Sequence, residues 1–254
     1  GGGTITPPGH WFSIFGQIAG SQNLKLDRAA ETYCRLGFGA SDAFVACWHG
    51  KYKYNLLRPV TYIQQIIQPG WTPPITTPPF PEYLSGHSTV SGASAAILTA
   101  LYGDQFAFTD MSHDAVPLPA RSFASFNEAA EEAAISRLYG GIHFRSAIDV
   151  GVDAGRSIGH AVMQLPLGPT SGPTGPATST YDAAVANAWF DQINELVRTT
   201  AGFSPPVASR ALGYAGVAVY EACRPGIPGA TSLAGHLNDL TPLPKPLGGA
   251  AYHW

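Results

Sequence analysis

The chain has 254 residues, enough for one well-filled domain or two small ones. Charged residues make up 12% of it and the formal net charge is -3, so the composition indicates neither binding to nucleic acid nor a polybasic membrane-binding segment. No run of about 18 apolar residues occurs, and no transmembrane helix is therefore predicted.

The first half of the chain is predicted to be helical, with a proline-rich interruption. Apolar residues at helical spacing predict a long helix over residues 27–49, with Lys51 just beyond its end. Residues 68–84 are rich in proline and are expected to form an extended loop. A helix of small residues follows over residues 85–101, so Ser85 is expected near a helix N-terminus, where unpaired amides attract anions.

The second half is also predicted to be helical. Two helices are expected over residues 127–142 and 146–164, and a helical pair over residues 181–201 and 205–223. Residues 166–180 between them consist mainly of Pro, Gly, Ser and Thr, a composition typical of a linker. Because no repeated strand alternation occurs, we expect a mainly α fold, a helical bundle.

The three cysteines predict no disulfide framework. Cys34, Cys47 and Cys223 are too few for one and odd in number. Cysteine without a partner is commonly a small buried apolar residue, and we expect that role for all three.

Three short stretches carry polar side chains that together suit a tetrahedral oxyanion. These residues are Lys51 and Arg58, then Ser85, Gly86 and His87, then Ser136, Arg137 and His143. One lysine and two arginines can neutralise several oxygens, and the serine hydroxyl and glycine amide add neutral donors. The two histidines have distinct tasks available, since one can bond the central atom and the other can move a proton.

The order and spacing of these stretches resemble the signature of the vanadium-dependent haloperoxidase and type 2 phosphatidic acid phosphatase superfamily. Residues 7–11, Trp48 and residues 79–83 look like the bacterial haloperoxidase branch. The resemblance covers residues 5–165. It implies a helical bundle of the vanadium haloperoxidase and acid phosphatase type.

The resemblance also implies roles for individual residues. The catalytic residues would be His87, His143 and Lys51, and His143 would be the metal ligand. The residues implied to bind the cofactor are Lys51, Arg58, Ser85, Gly86, Arg137 and His143, with Trp48 and Phe80 lining the pocket. The implied cofactor is vanadate, and phosphate suits the same site. Hydrogen peroxide, a halide and a small organic molecule would be the reactants.

Two positions depart from the family's pattern. Leu84 stands where the phosphatase signature has proline. The family's acidic residue four positions after the last histidine is Ala147 here, and the first acid is Asp149, which a helix would rotate away from His143. The group that orients His143 is left open between a backbone carbonyl and another side chain, with Asp42 and Asp149 as candidate carboxylates.

Three functions follow from this pocket, ranked in order. The first is a vanadate-dependent haloperoxidase that oxidises halide to a hypohalite equivalent, and Phe80, seven residues before His87, matches chloroperoxidase-like members. The second is a soluble acid phosphatase with a phosphohistidine intermediate at His143, His87 being the acid. The third is an inactive structural or assembly protein that keeps the oxyanion pocket.

The order of segments predicts the assembly. We expect a catalytic core over residues 1–165, the linker over 166–180, and a helical pair with a Pro/Gly-rich tail over 181–254. Residues 181–223 look like the region that opens related chains, which suggests a permuted order or helices exchanged within a homo-oligomer. We expect a secreted or otherwise extracytoplasmic location, although the given chain shows no signal peptide.

Overall fold

Helices make up nearly all the regular structure. The computed structural model describes residues 5–112, 119–167 and 177–233. Its α-helices are α1 (Pro7–Ser21), α2 (Leu26–Tyr54), α3 (Pro59–Tyr62), α4 (Gly86–Tyr102), α5 (Phe126–Tyr139), α6 (Arg145–Met163), α7 (Ala184–Thr199) and α8 (Pro205–Cys223). A π-helical turn (Ile63–Ile67) continues α3, and 3₁₀ turns cover Thr178–Thr180 and Arg224–Gly226. The mainly α prediction is confirmed.

The long helix α2 extends further than predicted. It ends at Tyr54, where Asn55 adopts a left-handed conformation with φ of 47° and caps the helix by donating its N–H to Lys51 O. Asn tolerates this conformation better than most residues, so it is a common helix terminator. Lys51 therefore lies in the last turn of α2, and its predicted position beyond the helix is wrong.

Aromatic packing joins the first and last parts of the described chain. Tyr33 of α2 stacks on Phe190 of α7 with ring centroids 3.9 Å apart, and Phe12 of α1 lies 5.0 Å from the same ring. All three side chains are buried. Helix α8 also packs on α2, where a Cβ on Gly216 would come 2.6 Å from Tyr33 O. The predicted C-terminal helical pair thus packs on its own chain here, and exchange between subunits stays a prediction.

Helices α4 and α6 approach each other closely through small residues. A Cβ on Gly155 of α6 would lie 2.1 Å from Thr89 O of α4, and one on Gly92 would lie 2.4 Å from Val152 O. Only glycine permits this separation between the two backbones. The close approach places the N-terminus of α4 beside the start of α6, where the candidate site lies.

A two-stranded antiparallel sheet, β1 (Phe108–Asp110) with β2 (Arg121–Phe123), is the only sheet in the described ranges. His10 Nε2 of α1 lies 2.6 Å from Asp110 Oδ2 and ties β1 to the bundle. Among the helices that the structure describes, none is long and apolar enough to cross a membrane. Most of the predicted linker, 168–176, and the tail from 234 onward lie outside the described residues.

Candidate active site

His143 lies between α5 and α6 and has a buried carboxylate partner. Its Nδ1 is 2.7 Å from Glu82 Oε1, and the same oxygen accepts a hydrogen bond of 3.0 Å from Phe144 N. The side chains of His143 and Glu82 are only 4% and 1% exposed. Glu82 belongs to the proline-rich loop before α4, so the orienting group is a side chain distant in sequence.

The hydrogen bonds of His143 select one neutral tautomer. Glu82 accepts the proton on Nδ1, while Arg58 Nη1 donates to Nε2 at 3.2 Å. Burial lowers the pKa of His143 to about 4; the hydrogen bond to Glu82 opposes this shift, and the charges of Arg58 and Lys51 reinforce it. The ring is therefore neutral at pH 7, and Nε2, which accepts from Arg58, carries the lone pair that a ligand or electrophile would take in place of that hydrogen bond.

Arg58 offers a buried donor that no protein group accepts. Its Nε donates to Phe80 O at 3.0 Å and its Nη1 to Ile142 O at 2.8 Å, whereas its buried Nη2 has no hydrogen-bond partner. Burial lowers the pKa of this guanidinium, which still remains charged at neutral pH. An unpaired buried charged donor is costly. An anion bound beside His143 would supply an acceptor for Nη2, since the same guanidinium contacts His143 Nε2 through Nη1.

Ser85, Gly86 and His87 form the N-terminus of α4, as predicted from the sequence. The buried Ser85 Oγ caps the helix by accepting from Ser88 N at 3.3 Å and also accepts from Ser88 Oγ at 2.8 Å. The amides of a first helical turn have no partner within the helix, so they favour an anion. A Cβ on Gly86 would lie 3.4 Å from the Trp48 ring, which shows how tightly α4 begins against α2.

His87 pairs with Arg137, which lies in the last turn of α5. Arg137 Nη1 is 3.4 Å from His87 Nε2. Burial, followed by the charge of Arg137, lowers the pKa of His87 well below its usual value. Ser136 holds the guanidinium in place, because its Oγ accepts from Arg137 Nε at 2.9 Å while donating to Ala133 O at 2.7 Å. His87 is thus a neutral proton acceptor at pH 7.

Lys51 is fully buried and uses its protons on the main chain. Its Nζ donates to Pro81 O and Glu82 O, each at 3.0 Å, and to Leu84 O. An ammonium has three protons, so these three carbonyls use all of them. Burial lowers the pKa of Lys51 to about 8, although Cys47 and Glu82 act in the opposite direction. The resemblance had implied that Lys51 faces the anion.

The two residues expected to line the pocket lie around the basic side chains. The rings of Trp48 and Phe80 contact each other at 5.0 Å between centroids. Lys51 Nζ lies 5.5 Å and 5.2 Å from their respective centroids, and Arg58 Cζ lies 5.1 Å from that of Phe80. Both rings thus pack against the cationic side chains of the candidate site.

Neither carboxylate considered for His143 takes that role. Asp149 pairs with Arg145 at 3.1 Å on the surface of α6, and both side chains are more than half exposed. Asp42 is also exposed. Glu82 was missed because no local spacing links it to His143, although it occurs in the 79–83 segment that resembles the haloperoxidase branch. The sequence signal that could have identified it is its position, since Glu82 is a carboxylate only three residues before Ser85.

The site as a whole fits a tetrahedral oxyanion. His143 Nε2 accepts from Arg58 Nη1, the Nη2 of the same guanidinium has no hydrogen-bond partner, and Arg137 lies beside His87. In the described ranges, no group of three His, Cys, Asp or Glu side chains could hold a metal cation. The donors present suit vanadate or phosphate, which are held by positive charge and hydrogen bonds.

Part of this chain is similar to known vanadium-dependent haloperoxidases. Residues 64–168 match the family model of the VCPO second helical-bundle domain. A solved bacterial vanadium-dependent iodoperoxidase is 49% identical over 63% of this chain, with a TM-score of 0.59. Holo and apo structures of a bacterial vanadium-dependent chloroperoxidase are 19% and 17% identical over 59% of this chain, covering 46% and 47% of theirs, both at a TM-score of 0.42.

This chain spans less than half the length of the iodoperoxidase, because the match covers 38% of that protein's chain. None of the curated proteins matches this chain.

Proposed function

Because the chain belongs to the vanadium haloperoxidase superfamily, we propose that it is a vanadate-dependent haloperoxidase. It would convert a halide, hydrogen peroxide and a proton to hypohalous acid and water. The observation that carries this proposal is a neutral His143 Nε2 that accepts from Arg58 Nη1, together with the Nη2 of the same guanidinium, which has no hydrogen-bond partner. This pair offers both a bond to a central atom and charge for its oxygens.

Residues on three helix ends would hold vanadate. His143 Nε2 would bond vanadium, since Glu82 keeps the proton on Nδ1. Arg58, Arg137, Ser85 and the Gly86 amide would bind the oxygens. Vanadate, when bound, supplies a Lewis-acid centre at which hydrogen peroxide becomes electrophilic towards halide. The pocket's positive charge also favours entry of the halide anion.

His87 would manage the protons of the reaction. Its lowered pKa keeps the ring neutral at pH 7, so its unprotonated nitrogen would be the group that accepts a proton from hydrogen peroxide entering the site. The same side chain would return that proton to the oxygen released as water. Arg137 at 3.4 Å limits how long the imidazolium persists, because two adjacent positive charges repel.

A phosphatase is the second candidate, and the same Nε2 supports it. His143 Nε2 carries the unprotonated lone pair that a phosphohistidine intermediate requires, once Arg58 Nη1 turns from it to the phosphate. However, His87 would have to be protonated to act as the acid, and its lowered pKa makes this form scarce at neutral pH. The third candidate, an inactive assembly protein, was based partly on the displaced acid after His143, and Glu82 removes that argument.

The test measures halogenation by the full chain after removal and return of vanadate. Protein freed of vanadate is assayed with hydrogen peroxide and a phenol reporter in iodide, bromide or chloride, with and without orthovanadate. We expect turnover only with orthovanadate, and iodide is the first halide to test because the 49% identical structure is an iodoperoxidase. Equal rates with and without vanadate would exclude the proposal. Hydrolysis of p-nitrophenyl phosphate, assayed in parallel, reports the phosphatase alternative.

Variants of the two histidines separate their roles. His143→Ala should lose both vanadate binding and turnover, whereas His87→Ala should still bind vanadate but lose turnover. His160→Ala is the matched control, because this exposed histidine lies at the far end of α6. Full turnover in His143→Ala would contradict its role as the ligand.

Arg58→Lys is expected to weaken anion binding by about 1.5–3 kcal/mol, the scale of a charged hydrogen bond. The substitution keeps the positive charge but removes the unpaired Nη2 and the fork that the guanidinium presents. Calorimetric titration with orthovanadate or phosphate measures the change. Arg145→Lys, at the exposed start of α6, is the control. Unchanged affinity in Arg58→Lys would mean that Nη2 does not face the anion.

A further inference from the structure

We propose that the exposed surface of residues 52–67 is the contact through which two copies of this chain form a dimer. This surface begins in the last turn of α2 and includes α3 with its π-helical continuation. The inference goes beyond the proposed function and does not depend on it, because it concerns the outer side of this segment rather than the anion site.

Large apolar side chains are concentrated on the 52–67 surface. Those between 47% and 68% exposed are Tyr52, Tyr54, Leu56, Leu57, Tyr62, Ile66 and Ile67. At about 100 Å² of exposed area each, they present roughly 700 Å² of apolar surface in one short segment. A monomer rarely exposes an apolar patch of this size, and a standard interface buries about 800 Å² on each partner.

The helix on this surface receives little packing from its own chain. Helix α3 and the π-helical turn have four and five residues, and Pro59 is the only buried one among them. A helix this short is marginal in water unless an apolar face packs on another element. Ile66 and Ile67, at 68% and 67%, are the most exposed of the apolar side chains on the surface. A second copy would supply the packing that this helix lacks.

The inner side of the segment is held by main-chain contacts, so the surface has a defined shape. Leu56 O accepts from Glu82 N at 3.0 Å, in the loop before α4. Gln64 Nε2 donates to Trp71 O at 2.7 Å. A surface that is already formed loses little conformational entropy on binding, which favours a specific contact.

The charges of the segment favour a second copy as the occupant. Within residues 52–70, all of which the structure describes, Lys53 and Arg58 carry the only formal charges, and Arg58 is buried. In a two-fold dimer the same surface faces itself, so a strongly charged surface would repel its copy, whereas this one would not. The centres of interfaces are depleted in charge and rich in tyrosine, which also describes this segment.

A membrane surface fits the segment less well. Helices that lie in a membrane interface are rich in Lys and Arg on their polar face. The polar side chains of α3 and the π-helical turn are instead uncharged, namely Thr61, Gln64 and Gln65, apart from the Tyr62 hydroxyl. Contact with a protein surface of the same kind is therefore the better match.

The test measures the mass of the full chain by sedimentation velocity over a wide range of protein concentration. We expect a monomer–dimer equilibrium. In the double variant Ile66→Glu/Ile67→Glu, the dissociation constant of the dimer should rise by at least about 100-fold, because unpaired carboxylates would be buried on both partners. The matched control is Val185→Glu/Leu196→Glu, which adds the same charges at apolar positions of α7 that are 54% and 51% exposed. This control should dimerise like the unmodified chain.

Three results of sedimentation would overturn the proposal. They are a chain that stays monomeric at every concentration, a dimer that Ile66→Glu/Ile67→Glu leaves intact, and a dimer that the α7 control disrupts as strongly. Flotation with neutral phosphatidylcholine vesicles tests the membrane alternative. A monomer that binds these vesicles, with binding lost in Ile66→Glu/Ile67→Glu, would also overturn the proposal.

A second measurement uses only the unmodified chain and decides the question if the double variant does not fold. Amide hydrogen exchange is followed by mass spectrometry at low and at high protein concentration. We expect the amides of residues 60–67 to exchange at least about tenfold more slowly at high concentration, because a covered helix opens less often. The amides of α7 should exchange equally at both concentrations. Equal exchange of residues 60–67 at both concentrations would overturn the proposal.

Discussion

At the scale of single residues, Glu82 explains how His143 is oriented without the acid expected at position 147. Glu82→Gln keeps the volume and one acceptor oxygen but removes the charge that stabilises the Nδ1–H donor. We expect affinity for orthovanadate to fall by about 10- to 100-fold, the usual effect of losing such an outer partner. Calorimetric titration measures this loss. Asp149→Asn is the control, and the reverse pattern, with only Asp149→Asn impaired, would restore the sequence-based candidate.

Asp110 predicts an acid-sensitive contribution to stability. Burial alone would raise the pKa of this carboxyl, but the hydrogen bond and charge of His10 and the bonds from Ser112 outweigh it and lower the pKa to about 2. A folded pKa below the ordinary value of 3.8 for a free aspartate means that the stabilisation is present above pH 4 and is lost as the pH falls towards 2.

Asp110→Asn should therefore lower the free energy of unfolding by about 2 kcal/mol at pH 6. The difference from the unmodified chain should shrink as the pH falls from 4 to 2. Urea unfolding at several pH values measures it. A difference that is the same at pH 2 and pH 6 would show that the charge of Asp110 does not contribute.

At the scale of elements, helices with a clear apolar period were predicted closely, because one buried face repeats along them. Helix α6 (Arg145–Met163) and helix α8 (Pro205–Cys223) lie within one or two residues of the prediction. Helix α1 was not predicted, although Thr6 as N-cap and prolines in its first turn are a recognised start signal.

The stretches proposed to bind the anion could be proposed from sequence because the spacing within each motif is local. The partner of His143 was not, because a contact between residues 82 and 143 depends on how the loop before α4 folds across α6. The same holds for Lys51, whose residue type predicts a charge but not which acceptors surround it. Contacts between side chains that are distant in sequence therefore become visible only in the structure.

Gly155→Ala tests the contact between α4 and α6. The added methyl would lie 2.1 Å from Thr89 O, two residues after His87, so the helices must move apart. We expect a loss of about 1–3 kcal/mol in the free energy of unfolding, together with weaker anion binding. Urea unfolding and phosphate titration measure both effects. Gly20→Ala, with nothing within 4 Å of the new methyl, should leave both unchanged or add slight stability.

At the scale of the whole molecule, α7 and α8 complete the core that α1 and α2 begin. Truncation after residue 167 would uncover Tyr33 and Phe12, which Phe190 covers, and would remove Tyr220, whose hydroxyl donates to Leu167 O at 2.9 Å. We expect the shortened chain to aggregate or to melt at lower temperature than a control ending at residue 233. Light scattering and thermal unfolding measure this. A soluble monomer of unchanged heat stability would mean that the C-terminal helices are an independent appendage.

The stacking of Phe190 on Tyr33 also bears on the order in which the chain folds during synthesis. Every side chain proposed to hold the anion lies between residues 58 and 143, so the ribosome completes this part of the sequence before α7 and α8 exist. Until they emerge, the aromatic face of α1 and α2 has no cover from this chain. Contacts between positions so far apart close late and slow folding. The nascent chain thus carries all its pocket residues while the face shared by α1 and α2 is still open to chaperones.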